Sequence, residues 1–150
     1  MQDALPPATT SNARLHDAGM RSTLPRRAVL ETIMATTDHR SAEEVRRALE
    51  ERGIDLPRSS INNILGTLAG AGLINRVETL PGPARFERDT SDHDHFWCVG
   101  CREASNVPAH RIKPPPVAGR VLATAITHLG ECETCGGAPE SHTQRKDRHR

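Results

Sequence analysis

Two Cys-x-x-Cys pairs, Cys98 with Cys101 and Cys132 with Cys135, hold all four cysteines of this 150-residue chain, and residues 102–131 lie between them. Two such knuckles at that distance match the four-thiolate tetrahedral site that holds structural zinc. If one ion takes all four sulfurs, the segments carrying them must meet in space, so the fold of the second half of the chain is constrained before any helix or strand is assigned. A redox-active pair and two disulfides are the competing fates. The N-terminus "MQDALPPATTSNARLHDAG" has no basic start followed by an apolar stretch and so does not read as a secretory signal. A cytoplasmic chain with reduced thiols is therefore expected, which favours metal over disulfide. No apolar run approaches the roughly 20 residues needed to span a bilayer, and no membrane association is expected.

Four thiolates fill a tetrahedron and leave no position for a reactive water, which argues against a zinc hydrolase. The His-x-Glu and Pro-Cys-x-x-Cys pattern of a zinc deaminase is also absent. The chain is read as a non-enzyme.

The stretch "HDHFWCVGC" (residues 93–101) crowds two histidines against the first knuckle. On an extended strand alternate side chains share a face, so His93 and His95 point one way and Asp94 the other. Both imidazoles can grip one ion, with partners from elsewhere; His39 and Glu87 are candidates. A second metal site beside the zinc knot is expected.

Outside this region the chain divides into unlike parts. Residues 1–20 and the basic 140–150 ("ESHTQRKDRHR") are polar and aperiodic and read as a disordered and a flexible tail. Residues 21–90 read as three short helices and a hairpin, and residues 91–139 as a small strand-rich unit. Helix-starting signals are Pro25 in "LPRRAVLETIMATT", the capping box of Ser41 and Glu44 in "SAEEV", and Ser59 or Ser60 ahead of Ile61, Ile64, Leu65 and Leu68. "LINRVET", a turn at "LPGPA" and "RFERD" complete a hairpin. With only Phe86, Phe96 and Trp97 as aromatics, each lobe buries little, and metal or oligomerisation becomes a plausible source of stability.

Three helices followed by a hairpin is the order of a winged helix, whose third helix is the one suited to the DNA major groove. Facing its apolar stripe inward turns Asn62, Asn63, Gly66 and Thr67 outward, and asparagine can pair with the edge of adenine. Arg21, Arg26, Arg27 and Arg58, with Ser59 and Ser60 at the helix start and Arg76 or Arg85 on the wing, are candidates for phosphate contacts. Net charge is only +1, so a DNA-binding surface must come from local arrangement. Such units also serve as protein-docking modules.

Together, "RSTLPRRAVLETI", "SAEEVRRALEERG", "SSINNILGTLAGAGLINRVE", "RFERDTSDHDHFWCVGC" and "GECETCG" resemble the ferric uptake regulator family, over residues 21–101 and again around 121–137. The resemblance implies an α+β protein: a winged-helix DNA-binding domain plus a small α/β dimerisation domain. It implies a homodimeric, metal-dependent repressor of promoter DNA, with structural zinc on Cys98, Cys101, Cys132 and Cys135. A regulatory metal (iron, manganese, zinc or nickel) is implied on His39, Glu87, His93 and His95. Asn106 stands where a further, acidic ligand is expected. The set is most similar to the peroxide-sensing branch, as is Asn63, and by that likeness iron-dependent oxidation of His39 or His93 releases the repressor. Asn62 replaces the family's tyrosine on the recognition helix. Pro114, Pro115 and Pro116 stand where the dimerisation helix is expected, so that helix is expected to be reduced or missing. The alternatives are a zinc- or nickel-responsive repressor of the same family and, from a different class, a zinc-thiolate redox switch.

Overall fold

The computed structural model describes residues 8–113 and 116–136. Its first lobe is helical and closes on a small sheet. Helix α1 (Ala8–Asp17) precedes α2 (Leu24–Met34), the short strand β1 (Arg40–Ser41), α3 (Ala42–Glu51), α4 (Arg58–Gly70) and the strands β2 (Asn75–Val77) and β3 (Arg85–Glu87). Strand order is β1-β3-β2, both pairs antiparallel, with Ser41 opposite Arg85 on one side and Asn75 opposite Glu87 on the other. This is the winged helix expected from the order of the elements.

The local signals explain most of the boundaries. Thr23 caps α2 by accepting from the Arg26 amide, with Pro25 in the first turn. Ser41 and Glu44 form a reciprocal capping box at α3, with the Ser41 amide 2.7 Å from Glu44 Oε2. The apolar stripe of α4 packs inward, with Ile61, Leu65 and Leu68 fully buried and Ile64 partly so. The start of α4 is not the capped serine expected: the helix begins at Arg58 behind Pro57 with no side-chain cap. Proline's fixed φ and missing amide proton already suit a helix entrance, so Ser59 and Ser60 fall inside the first turn.

The expectation of a disordered tail over residues 1–20 fails for residues 8–17, which form α1; residues 1–7 lie outside the described residues. One apolar side chain carries this helix. Leu15 is completely buried in the main core with Val29, Leu30, Ile33, Val45 and Leu49. The helix closes through Gly19, at φ +70°, with the Met20 amide bonded to the Leu15 carbonyl at 2.8 Å, the left-handed terminus that glycine adopts without penalty. A single anchor gives no periodicity to read, so tertiary contact decides the state.

The second lobe is a three-stranded sheet in the order β5-β4-β6, from β4 (His93–Cys98), β5 (Ala104–Pro108) and β6 (Thr127–Gly130), followed by a single turn of helix, α5 (Glu133–Gly136). β4 pairs antiparallel with β5, placing His95 opposite Asn106, and parallel with β6, placing Cys98 opposite Gly130. A parallel pair needs a long crossover, usually a helix. Here the described residues of that crossover, 109–113 and 116–126, contain no helix, in keeping with the proline run; residues 114–115 lie outside the described residues, as does the tail 140–150. The small apolar cluster against this sheet joins the lobes: Val77 and Leu80 of the β2–β3 hairpin pack on Trp97 of β4, with Ala104 of β5 against them. At about 1.5–3 kcal/mol per buried large apolar side chain, that is thin support for a sheet. Among the described residues no helix is long and apolar enough to cross a membrane.

Candidate metal centres and DNA-facing helix

Cys98 ends β4, Cys101 follows in the tight turn to β5, and Cys132 and Cys135 flank the start of α5. The parallel pairing of β4 with β6 brings the two knuckles together, and one sulfur from each of the four lies within 4.8 Å of the others. Cys101 Sγ and Cys132 Sγ are 3.9 Å apart. Zinc–sulfur bonds of 2.3 Å in a tetrahedron require about 3.8 Å between sulfurs, whereas a disulfide needs about 2.05 Å; all four cysteines are unbridged. The amides of Cys101 and Cys132 turn toward Cys98 and lower its thiol to about 6, the Cys132 amide standing 3.3 Å from Sγ. The neighbouring thiol of Cys132, followed by that of Cys98, pushes Cys135 up to about 12. Four thiolates at this spacing repel one another unless a cation sits among them, so the donor set fits a divalent ion. Gly100 makes the approach possible: a Cβ there would lie 2.8 Å from Cys135 Cβ and 2.9 Å from its Sγ.

A second cluster forms at the junction of the lobes. His39 stands just before β1, Glu87 ends β3, and His93 and His95 share one face of β4. Glu87 is the hub. Its Oε1 is 2.9 Å from both His93 Nε2 and His95 Nε2, and its Oε2 is 3.1 Å from His39 Nε2. The Nε2 atoms of His93 and His95 are 3.1 Å apart. His93 Nδ1 meets the Ser91 carbonyl at 2.9 Å; donating there leaves the Nε2 lone pair aimed into the cluster, the usual orientation of a ligating imidazole. Both ring nitrogens of His39 are buried without a hydrogen bond, the Glu87 contact being close but outside hydrogen-bonding geometry. Donor atoms of His39, Glu87 and His95 lie within 4.8 Å of one another in a buried site, with His93 Nε2 beside Glu87 and His95, and this set fits a divalent cation.

Burial by itself would raise Glu87, yet contacts from His39, His95, Asn106 and Asn75 hold its carboxyl well below the usual carboxylate range. Asn106, at the position where the resemblance expects a further ligand, meets the same carboxylate. Its amide nitrogen donates to Glu87 Oε2 at 2.9 Å, and Asn75 donates to Oε1 at 2.8 Å. Asn106 therefore orients the carboxylate that faces the histidines.

A third group was not foreseen from sequence as a cluster. Asp94 turns to the opposite face of β4, where its Oδ2 lies 3.4 Å from His128 Nε2 and 3.9 Å from His110 Nδ1 and accepts the His110 amide at 2.8 Å. The three offer mutually close donor atoms. The alternation of His93, Asp94 and His95 points to a second face, but only the pairing of Phe96 with His128 reveals which residues meet Asp94 there.

On α4, Asn62, Asn63 and Thr67 are exposed, as are Arg58 and Ser59, and Ser60 is partly covered. The Thr67 hydroxyl donates to the Asn63 carbonyl at 2.8 Å, so its proton is engaged within the helix. Arg21 is exposed at the entrance to α2. Its carbonyl holds Arg26 at 3.0 Å, and half-buried Arg27 reaches Ser22 at 3.4 Å.

Fold and sites together define a winged-helix protein with a thiolate knot of zinc type and a histidine–carboxylate pocket at its lobe junction. The sequence profile of the ferric uptake regulator family matches residues 17–116. The Ferric uptake regulation protein of Neisseria meningitidis is 32% identical over 131 residues, covering 82% of this chain and 91% of the relative. Among solved structures, the Vibrio cholerae ferric uptake regulator superposes with a TM-score of 0.64 at 25% identity, covering 81% of this chain and 98% of that one. The Pseudomonas aeruginosa ferric uptake regulator, solved with manganese, gives 0.63 at 26% identity over 82% and 98%. This chain belongs to the ferric uptake regulator family. Proteins of the family are metal-responsive transcription regulators that bind DNA and are typically dimers.

Proposed function

We propose that this chain is a homodimeric, metal-dependent repressor of promoter DNA, with structural zinc on Cys98, Cys101, Cys132 and Cys135 and a regulatory ion on His39, Glu87, His93 and His95. The observation that carries the reading is the origin of the second set. His39 and Glu87 belong to the lobe that bears α4, and His93 and His95 to the lobe that bears the zinc knot. An ion held by all four sets the angle between the lobes. A dimer reads two half-sites at a defined spacing, so that angle governs affinity, with a coupling of about 1–3 kcal/mol typical of such linkage.

Imidazole with carboxylate suits ferrous iron, with manganese, zinc and nickel as competitors. Iron or manganese is the preferred assignment, supported by the iron-regulating name of the Neisseria relative and by the manganese in the Pseudomonas neighbour. Asn62, Asn63 and Thr67 are assigned to base reading, and Arg21, Arg27, Arg58, Ser59 and Ser60 to phosphates.

Elemental analysis of the wild-type chain and of His93→Ala/His95→Ala, each reloaded with iron, manganese, zinc or nickel, tests this. One zinc plus a second ion that only the wild type retains is expected, and the second ion names the signal. Equal metal content in both chains would remove the regulatory site. A peroxide response is a second reading, supported by the contact of both His39 and His93 with Glu87. It predicts an added oxygen on a peptide containing His39 or His93 after iron loading and peroxide exposure; mass spectra without it would end that reading.

A further inference from the structure

Resting on that function, we propose that Arg85 is a positioning residue that transmits occupancy of the junction site to the DNA-reading helices. β3 alternates: Phe86 enters the main core, while Arg85 and Glu87 share the other face. Glu87 meets the histidines. Arg85, two residues away, meets three different parts of the molecule with one guanidinium.

Its Nη1 donates to the His39 backbone carbonyl at 2.7 Å and to Glu44 Oε2 at 3.1 Å. Glu44 Oε2 in turn accepts the Ser41 amide and hydroxyl, both at 2.7 Å, as the capping box of α3. The guanidinium carbon lies 5.4 Å from the centre of the Trp97 ring, within cation–π range. Trp97 sits on β4 between His95 and Cys98. Arg85 thus ties the backbone of one candidate ligand, the cap of the helix that packs on α4, and the strand that carries two more candidate ligands. Its Nε is buried without a hydrogen bond. A lysine keeps the charge but lacks the planar fork that reaches carbonyl, carboxylate and ring together. Any shift of His39 toward or away from Glu87 moves the carbonyl that Arg85 holds, and with it the cap of α3.

The test uses the full-length, zinc-loaded chain and a duplex selected in vitro by the manganese-loaded wild type. DNA affinity is measured with and without saturating manganese, and manganese affinity with and without that duplex. For wild type, manganese is expected to raise DNA affinity about tenfold or more, and the duplex to raise manganese affinity by the same factor. Arg85→Lys is expected to keep wild-type zinc content and one manganese per chain, while both factors fall to within about twofold of unity. Arg85→Ala repeats the comparison where it folds; Arg85→Lys keeps the question open to refutation where it does not. A merely structural role would lower the melting temperature and leave the factors alone, so wild-type factors in Arg85→Lys overturn the assignment. Absence of any manganese effect in the wild type overturns the proposed function itself and this inference with it.

Discussion

Glu87 and Gly100 show how single atoms set the two metal centres. Glu87 is an anion in an almost dry place, kept ionised by donors on both oxygens. A carboxyl whose folded pKa is depressed binds fewer protons in the native state than in the unfolded state near its ordinary value of 4.5. Its contribution to stability is therefore complete above that value and is lost as pH falls through it toward the lower folded value. For metal-free protein, Glu87→Gln is expected to cost about 2 kcal/mol at neutral pH, the scale of hydrogen bonds to a charged group. That cost should shrink as pH falls below 4.5, as read by denaturant unfolding of both chains across the range. At Gly100 the limit is space. Adding one methyl brings carbon onto Cys135, so Gly100→Ala is expected to lose zinc affinity and to release zinc to a chelator faster than wild type. Equal release rates would show that the knuckle can yield.

The elements differ in how openly they announce themselves. α3 writes its own start in Ser41 and Glu44, and the inward stripe of α4 repeats at helical spacing, so both are legible in a window of ten residues. α1 has neither signal. It exists because Leu15 finds a place against α2, and helix α1 should melt when that anchor is cut. Leu15→Ala is expected to destabilise the first lobe by about 2–5 kcal/mol, as for other buried leucines, and to speed amide exchange over residues 8–17 ahead of the rest. Urea unfolding with site-resolved exchange checks both. The crossover between β5 and β6 is the opposite case. Its prolines argue against a helix from sequence, and the described residues agree, but Ile112, Val117, Val121 and Leu122 are left exposed.

At the scale of the molecule, two cores of unequal size share one chain. The first contains thirteen buried residues; the second contains three, of which Val77 and Leu80 come from the hairpin of the first lobe and only Trp97 from the second, so the second lobe depends on its metal knot more than on apolar burial of its own. Removing zinc, or substituting Cys98→Ser, is expected to abolish amide protection in β4, β5 and β6 while α2, α3 and α4 stay protected. Hydrogen exchange before and after chelation checks this; simultaneous loss in both lobes would mean that the zinc knot stabilises the whole chain. By itself the sequence determined the winged-helix order, the four-cysteine knot, the lack of a dimerisation helix over the described crossover and the pairing of His93 with His95, because each rests on spacing within a short stretch or on residue types with few other uses. Only the tertiary structure decided that Leu15 anchors a helix, that Asn106 donates to Glu87, that Asp94 meets His110 and His128, and that Arg85 links His39, Glu44 and Trp97. Those facts join residues 12 to 46 positions apart, and contacts over such separations are set by how helices and strands pack, which no local pattern encodes.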